Sequence, residues 1–194
     1  ALTVGAQHAD QSNVTYYSNR VDLLPSSDFT NPASCLGSGF RQAIKPEILL
    51  PGGKQLYCYR FNPTGTYSID QSWIPPGQKA AMPDHTGTGS TDRYIWTRGT
   101  SNATALATRA AAKLYEILEE LQSLPGGDCI NRDTTTPLLK ALLIHSASWP
   151  DEAINALKTV VPKGQKQKRG IARFLGYGIA DPARVEACTA QRAT

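Results

Sequence analysis

The stretch YIWTRGTSNATALATRAAAKLYEILEEL, residues 94–121, places a serine where a short apolar run gives way to a long helical pattern. A serine hydroxyl is a poor nucleophile at neutral pH. Covalent chemistry needs it to project from a rigid element, close to a base and to donors for a developing oxyanion. Ser101 meets the placement condition. Gly99 permits turn dihedrals closed to other residues, and Thr100 offers a capping hydroxyl. The first N–H groups of the following helix have no intrahelical partner and point toward negative charge. Ala103, Ala105 and Ala107 keep the start of that helix slim. A plain helix cap could use the same residues, so the G-T-S triplet alone decides nothing.

The other groups able to do chemistry are sparse. His8 reads as a surface or loop residue after the first strand, and His145 as a core or helix-end residue. His85 lies in DHTGTGS with no histidine-bearing helix behind it, so no histidine receives a catalytic assignment. Cys35, Cys58, Cys129 and Cys188 form no C-x-x-C pair and no metal-type cluster, so no metal or cofactor is expected. Reduced thiols in a reducing compartment are the simpler reading, and a Cys35–Cys58 bridge stays open. PGGKQ (51–55) lacks the leading glycine and trailing hydroxyl of a phosphate loop, and TGTGSTDR lacks the third glycine of a dinucleotide motif. Lys163, Lys166, Lys168 and Arg169 read as a solvated basic loop without interleaved aromatics, so no nucleic-acid partner is expected. Asn13-Val14-Thr15 and Asn102-Ala103-Thr104 match the glycosylation pattern.

Two regimes must position Ser101. Residues 1–93 hold short strand-like runs at 2–6, 14–17, 47–50 and 55–61, separated by turn signals such as Pro51-Gly52-Gly53 and Pro75-Pro76-Gly77. From residue 94 the pattern is helical. Ala103, Leu106, Ala107, Ala110, Leu114, Ile117, Leu118 and Leu121 form one apolar face that Pro125-Gly126-Gly127 stops. A second helix is expected after 133–137, with a capping hydroxyl and Pro137 in its first turn, and with Leu138, Leu139, Leu142 and Leu143 on its inner face. A third starts at Pro150-Asp151-Glu152, acidic at the positive end of the helix dipole, and ends near Pro162. PKGQKQKRG reads as a loop and DPARVEACTAQ as a last short helix. Strands followed by packed helices imply an α/β domain.

Bulk properties agree. The 194 residues, 40% hydrophobic and 19% charged with a formal net charge of +4, suit one globular domain. No apolar run approaches the ~20 residues that cross a bilayer, so no membrane partner is expected. The chain opens on ALTVGA, a buried-strand pattern without a secretion signal, which suggests a piece of something longer.

Five segments carry a family resemblance. GTSNATAL resembles the G-T-S-x-A-x-P nucleophile motif of the subtilisin-like serine peptidases, and IKPEILLPGG (44–53) their R/K-P-D-i-x-A-P-G segment. ALTVGA resembles their i-x-V-G-A strand, while LLKALLIHSAS (138–148) and RFLGYGIADPARV (173–185) resemble the landmarks after the serine helix. Ala105 and Leu50 depart from the family's proline and alanine, and about residues 54–93 form an insertion. The resemblance implies a three-layer fold with a mostly parallel sheet, here the carboxyl-terminal part of a catalytic domain and incomplete in this chain.

It also implies an Asp-His-Ser endopeptidase with Ser101 as nucleophile. The Asp, the His and an oxyanion asparagine would precede residue 1, leaving residues 1–194 inactive alone. The Ser101 N–H would serve the oxyanion. Gly99, Thr100, Arg98 and Asn102 would line the oxyanion and substrate side, with Arg98 reaching residues beyond the scissile bond. The implied partners are a protein or peptide substrate, the amino-terminal half of the same domain, and a second copy through an exposed sheet edge. A bacterial cytoplasmic home and a β-rich region after residue 194 complete the expectation. The competing reading is a non-catalytic binding module on the same scaffold.

Overall fold

The computed structural model describes residues 1–10, 12, 19–24, 26–60, 65–164 and 166–192. The run at 14–17 and the Asn13-Val14-Thr15 triplet lie outside the described residues. The chain runs through β1 (Val4–Gln7), β2 (Arg20–Val21), β3 (Gly37–Ser38), β4 (Ile44–Lys45) and β5 (Ile48–Pro51). Next come β6 (Tyr57–Tyr59), β7 (Tyr67–Ile69), β8 (Gln78–Ala81), β9 (Tyr94–Thr97) and α1 (Thr100–Gln122). Then α2 (Arg132–His145), β10 (Ala147–Ser148), α3 (Asp151–Val160), α4 (Gln167–Leu175), β11 (Ile179–Ala180) and α5 (Pro182–Arg192) follow.

The central sheet has the order β1-β5-β11-β10. β5 lies parallel to β1, from Val4↔Ile48 to Gln7↔Pro51, and parallel to β11 at Leu49↔Ile179; β10 is antiparallel to β11. The run Ile48-Leu49-Leu50 does not alternate, and its position explains why. Ile48 and Leu50 pack with Ala103, Ala107, Ala110 and Leu114 of α1, Leu143 of α2 and Val185 of α5. Leu49 faces the other way, into Ala153 and Leu157 of α3 and Ile171 and Leu175 of α4. A strand covered on both faces reads as a continuous apolar run. Burying each of Ile48, Leu49 and Leu50 contributes about 1.5–3 kcal/mol. The result is the expected α/β fold in three layers, mostly parallel.

Some helix boundaries differ from expectation. α2 begins at Arg132, because Asn131 caps it by accepting from the N–H groups of Asp133 (3.0 Å) and Thr134 (3.1 Å), while Thr134 Oγ1 accepts from the Asn131 N–H (2.9 Å). Pro137 therefore falls inside the helix. The basic loop is shorter than expected, since Gln167 already opens α4. Gly170 lets that helix approach the core, where an added Cβ would lie 2.3 Å from Val161 Cγ1. Cys35 and Cys58 are both free thiols, which closes the alternative of a bridge between them.

The outer edge of β1 is occupied along half its length. Ala6 O accepts from the Asn31 N–H (2.8 Å), Ala6 N–H donates to Ser34 Oγ (2.7 Å), and His8 N–H donates to Phe29 O (2.7 Å). Leu2 and Val4 present the unfilled part of the edge, above a groove of about 490 Å3 lined by Ala107, Ala111, Leu139 and Leu143. No helix among the described residues is long and apolar enough to cross a membrane.

Outside the main sheet, residues 54–93 build antiparallel structure. β7 pairs with β6 and β6 with β2, while β8 forms a hairpin with β9 from Gln78↔Thr97 to Ala81↔Tyr94. β9 thus belongs to this region, yet it feeds directly into α1.

Candidate active site

The turn between β9 and α1 stands at the carboxyl ends of β1 and β5, where ligands of open parallel sheets bind. Gly99 is the N-cap of α1, with φ 130° and ψ −177°, a conformation open essentially to glycine. Thr100 is not the cap: it is the first helical residue, and no side chain caps the helix. The N–H groups of Thr100 and Ser101 therefore have no partner among the described residues. The Asn102 N–H turns back to Gly99 O (3.2 Å). Ser101 is exposed, and its hydroxyl makes no hydrogen bond among the described residues. The site offers a bare hydroxyl beside two unpaired amides at the positive end of a long helix.

The Pro51-Gly52-Gly53 segment supports this turn from below. Gly52 O accepts from the Gly99 N–H (2.8 Å) and from Asn102 Nδ2 (3.3 Å), and the Gly52 N–H donates to Gln7 O (3.0 Å). A Cβ on Gly52 would lie 2.3 Å from the Cβ of Ala6 and 2.9 Å from Gly99 O. The glycine is thus required by close approach. The V-G-A strand, the P-G-G turn and the G-T-S turn are in mutual contact, which explains why all three are recognisable in the sequence.

Two predicted site residues are committed inside the chain. Asn102 Nδ2 donates to Thr97 O (2.9 Å), and Asn102 Oδ1 accepts from Thr97 Oγ1 (3.1 Å), stapling the turn across its mouth. Arg98, its side chain only 7% exposed, donates to the carbonyls of Pro76 (2.8 Å), Ile74 (2.6 Å) and Asp70 (3.2 Å). Its Nη1 also lies 3.7 Å from the Asp70 carboxylate. That carboxylate further accepts from Arg20 and from the Ser72 hydroxyl (2.9 Å). Burial pushes the Asp70 carboxyl up, but the Ser72 amide and hydroxyl together with Arg20 outweigh it and hold the group below the usual range. Asp70 and Arg20 were absent from the sequence reading; nothing local marks a residue whose partners lie 50 positions away.

The histidines separate clearly. His8 is 0% exposed, which corrects the surface assignment. Its Nδ1 accepts from the Gln55 N–H (3.2 Å), so Nε2 carries the proton and donates to Asp22 (2.9 Å). Burial pushes its pKa down, partly offset by Asp22, and the ring is neutral with both nitrogens engaged. It has no lone pair to offer a serine. His145 is an exposed helix-end residue, as one of its two readings had it. His85 is exposed in the turn that wraps Asp84, where Thr86, Thr88, Gly89, Ser90 and Arg93 all hydrogen-bond or pair with the Asp84 carboxylate. The TGTG motif serves that wrapping.

No cluster of His, Cys, Asp or Glu able to hold a metal occurs among the described residues. No curated protein and no solved structure matches the chain. The family model described as "Subtilase family" matches residues 1–178, nearly the whole chain. A match over that span shows that the chain belongs to the subtilase family of serine peptidases.

Proposed function

We propose that Ser101 is the nucleophile of an endopeptidase that hydrolyses peptide bonds in protein substrates. The observation that carries this reading is the exposed, unpartnered Ser101 hydroxyl on the first turn of α1, beside free amides. Ser101 Oγ attacks the scissile carbonyl carbon and passes its proton to a histidine, which then protonates the leaving amine. The Ser101 N–H donates to the oxyanion. Gly99 and Thr100 shape the leaving-group side. The Asp and His come from sequence preceding residue 1, in the amino-terminal half of the same domain. Triad members act as a unit, so residues 1–194 alone would be inactive. Residues 54–93 are an insertion into the family framework. Copies of residues 1–194 alone would pair through the open edge at Leu2 and Val4.

A fluorophosphonate probe tests the core of this. The full-length protein should be labelled at Ser101, with labelling and peptidase activity abolished in Ser101→Ala. Residues 1–194 alone should remain unlabelled and elute from size exclusion above monomer mass. Absence of label on Ser101 in the full-length protein would refute the nucleophile and favour a binding module on a subtilase scaffold.

A further inference from the structure

We propose that Arg98 is a positioning residue for the nucleophile turn, and that it works by clamping segment 70–77 of the antiparallel region onto the strand that enters the turn. This rests on the reading of Ser101 as nucleophile. The problem it addresses is mechanical. Gly99 occupies φ 130°, and nothing lies within 4 Å of where its Cβ would be, so packing on that side does not fix its dihedrals. Gly52 O holds the Gly99 N–H, yet one bond leaves a glycine's dihedrals freer than those of any other residue. The remaining constraint has to come from the flanks.

Downstream, Asn102 staples the turn to Thr97. Upstream, Arg98 spends three donors on the carbonyls of Asp70, Ile74 and Pro76. A guanidinium presents its donors in a rigid planar fork, so fixing several acceptors fixes the backbone that carries it. The clamp is closed from the other side as well. Trp96 N–H donates to Trp73 O (2.9 Å). Gly77, at φ 145°, lies so near the strand that a Cβ there would sit 2.6 Å from Thr97 O. Arg20 and Ser72 hold the Asp70 carboxylate, so the clamped segment has its own buried anchor. Arg20 Nε is the buried donor without a partner there. Each of the three guanidinium nitrogens of Arg98, by contrast, donates to a carbonyl of the clamped segment.

The alternative is that Arg98 only stabilises the antiparallel region. The test uses the full-length protein with Arg98→Ala, Arg98→Lys and Trp73→Ala, read by peptide hydrolysis and by hydrogen exchange of the peptide covering 97–103. A displacement on the order of 1 Å at a reacting atom costs about 100-fold, so Arg98→Ala should lower kcat about 100-fold with KM little changed. Exchange over 97–103 should rise about tenfold while peptides from α3 and α4 keep their protection. Arg98→Lys should fall between, since a compact ammonium cannot span the three carbonyls as the planar fork does. Trp73→Ala removes an exposed side chain and keeps the backbone carbonyl that Trp96 bonds, so it should match the parent. Unchanged exchange over 97–103 in Arg98→Ala overturns the clamp whatever the activity. Loss of protection in α3 and α4, or an equal kcat loss in Trp73→Ala, overturns it too by showing general destabilisation. If exchange responds while Ser101 is not labelled by the fluorophosphonate, the clamp stands and the nucleophile reading falls.

Discussion

Along β5, Ile48, Leu49 and Leu50 are all buried, whereas on the paired strands β6 and β7 the side chains of Tyr59, Tyr67 and Ile69 stand in solvent. The parallel sheet gains its stability from apolar area closed between two helix layers. The antiparallel region, where Leu56 and Pro76 are the fully buried apolar side chains among the described residues, is held largely by polar atoms instead. Gln55 Nε2 donates to Leu56 O and Asp70 O (both 2.9 Å), and Asp70 gathers two arginines. The first region is a core of interchangeable contacts; the second depends on a few directional ones. Ser101 sits on the seam, with Gly52 below it belonging to one side and Arg98 beside it tied to the other.

The contrast can be broken by substitution. Leu49→Ala should give the largest global loss, about 4–5 kcal/mol, because the site is fully enclosed and collapses poorly; chemical denaturation measures it. A loss below about 1 kcal/mol would mean the sheet is not the stability centre. Arg20→Ala leaves Asp70 short of a buried partner and should cost about 3 kcal/mol locally. Hydrogen exchange should place that loss in residues 54–81, and equal loss in α3 and α4 would erase the distinction between the regions.

A smaller effect comes from pH. His8 has its folded pKa below the unfolded value of 6.5, so its contribution is present above 6.5 and is lost as pH falls through the folded value. The melting temperature should decline below pH 6.5, and His8→Gln should flatten that part of the curve. A slope unchanged by His8→Gln would assign it to other groups. Smallest of all, Tyr67→Ala removes an edge-to-face contact with Tyr59 (centroids 5.4 Å apart) in solvent and should cost under about 1 kcal/mol.

Periodic apolar burial was readable from the chain, and long-range polar pairing was not. The inner face of α1 and the acidic start of α3 are one-dimensional patterns, and they appear where the spacing puts them. The G-T-S turn and P-G-G turn were readable because close approach demands glycine, a residue-type signal. His8 was misplaced because its burial depends on Asp22 and the Gln55 amide, 14 and 47 residues away. The start of α4 carries a loop-like sequence because its first turn is solvated and basic, with Ile171, Ala172 and Leu175 turned inward. Arg98 stands beside the serine in the sequence, yet its partners are carbonyls that carry no sequence signature at all.

The half-filled border of β1 has a consequence for how the sheet can grow. Segment 29–34 already takes the backbone of Ala6 and His8, so a strand added alongside can bond only the stretch bearing Leu2 and Val4. Any newcomer must therefore engage at the end distant from Ser101, over the groove near Lys140, and cannot carry its pairing along to the end of the strand where the G-T-S turn stands.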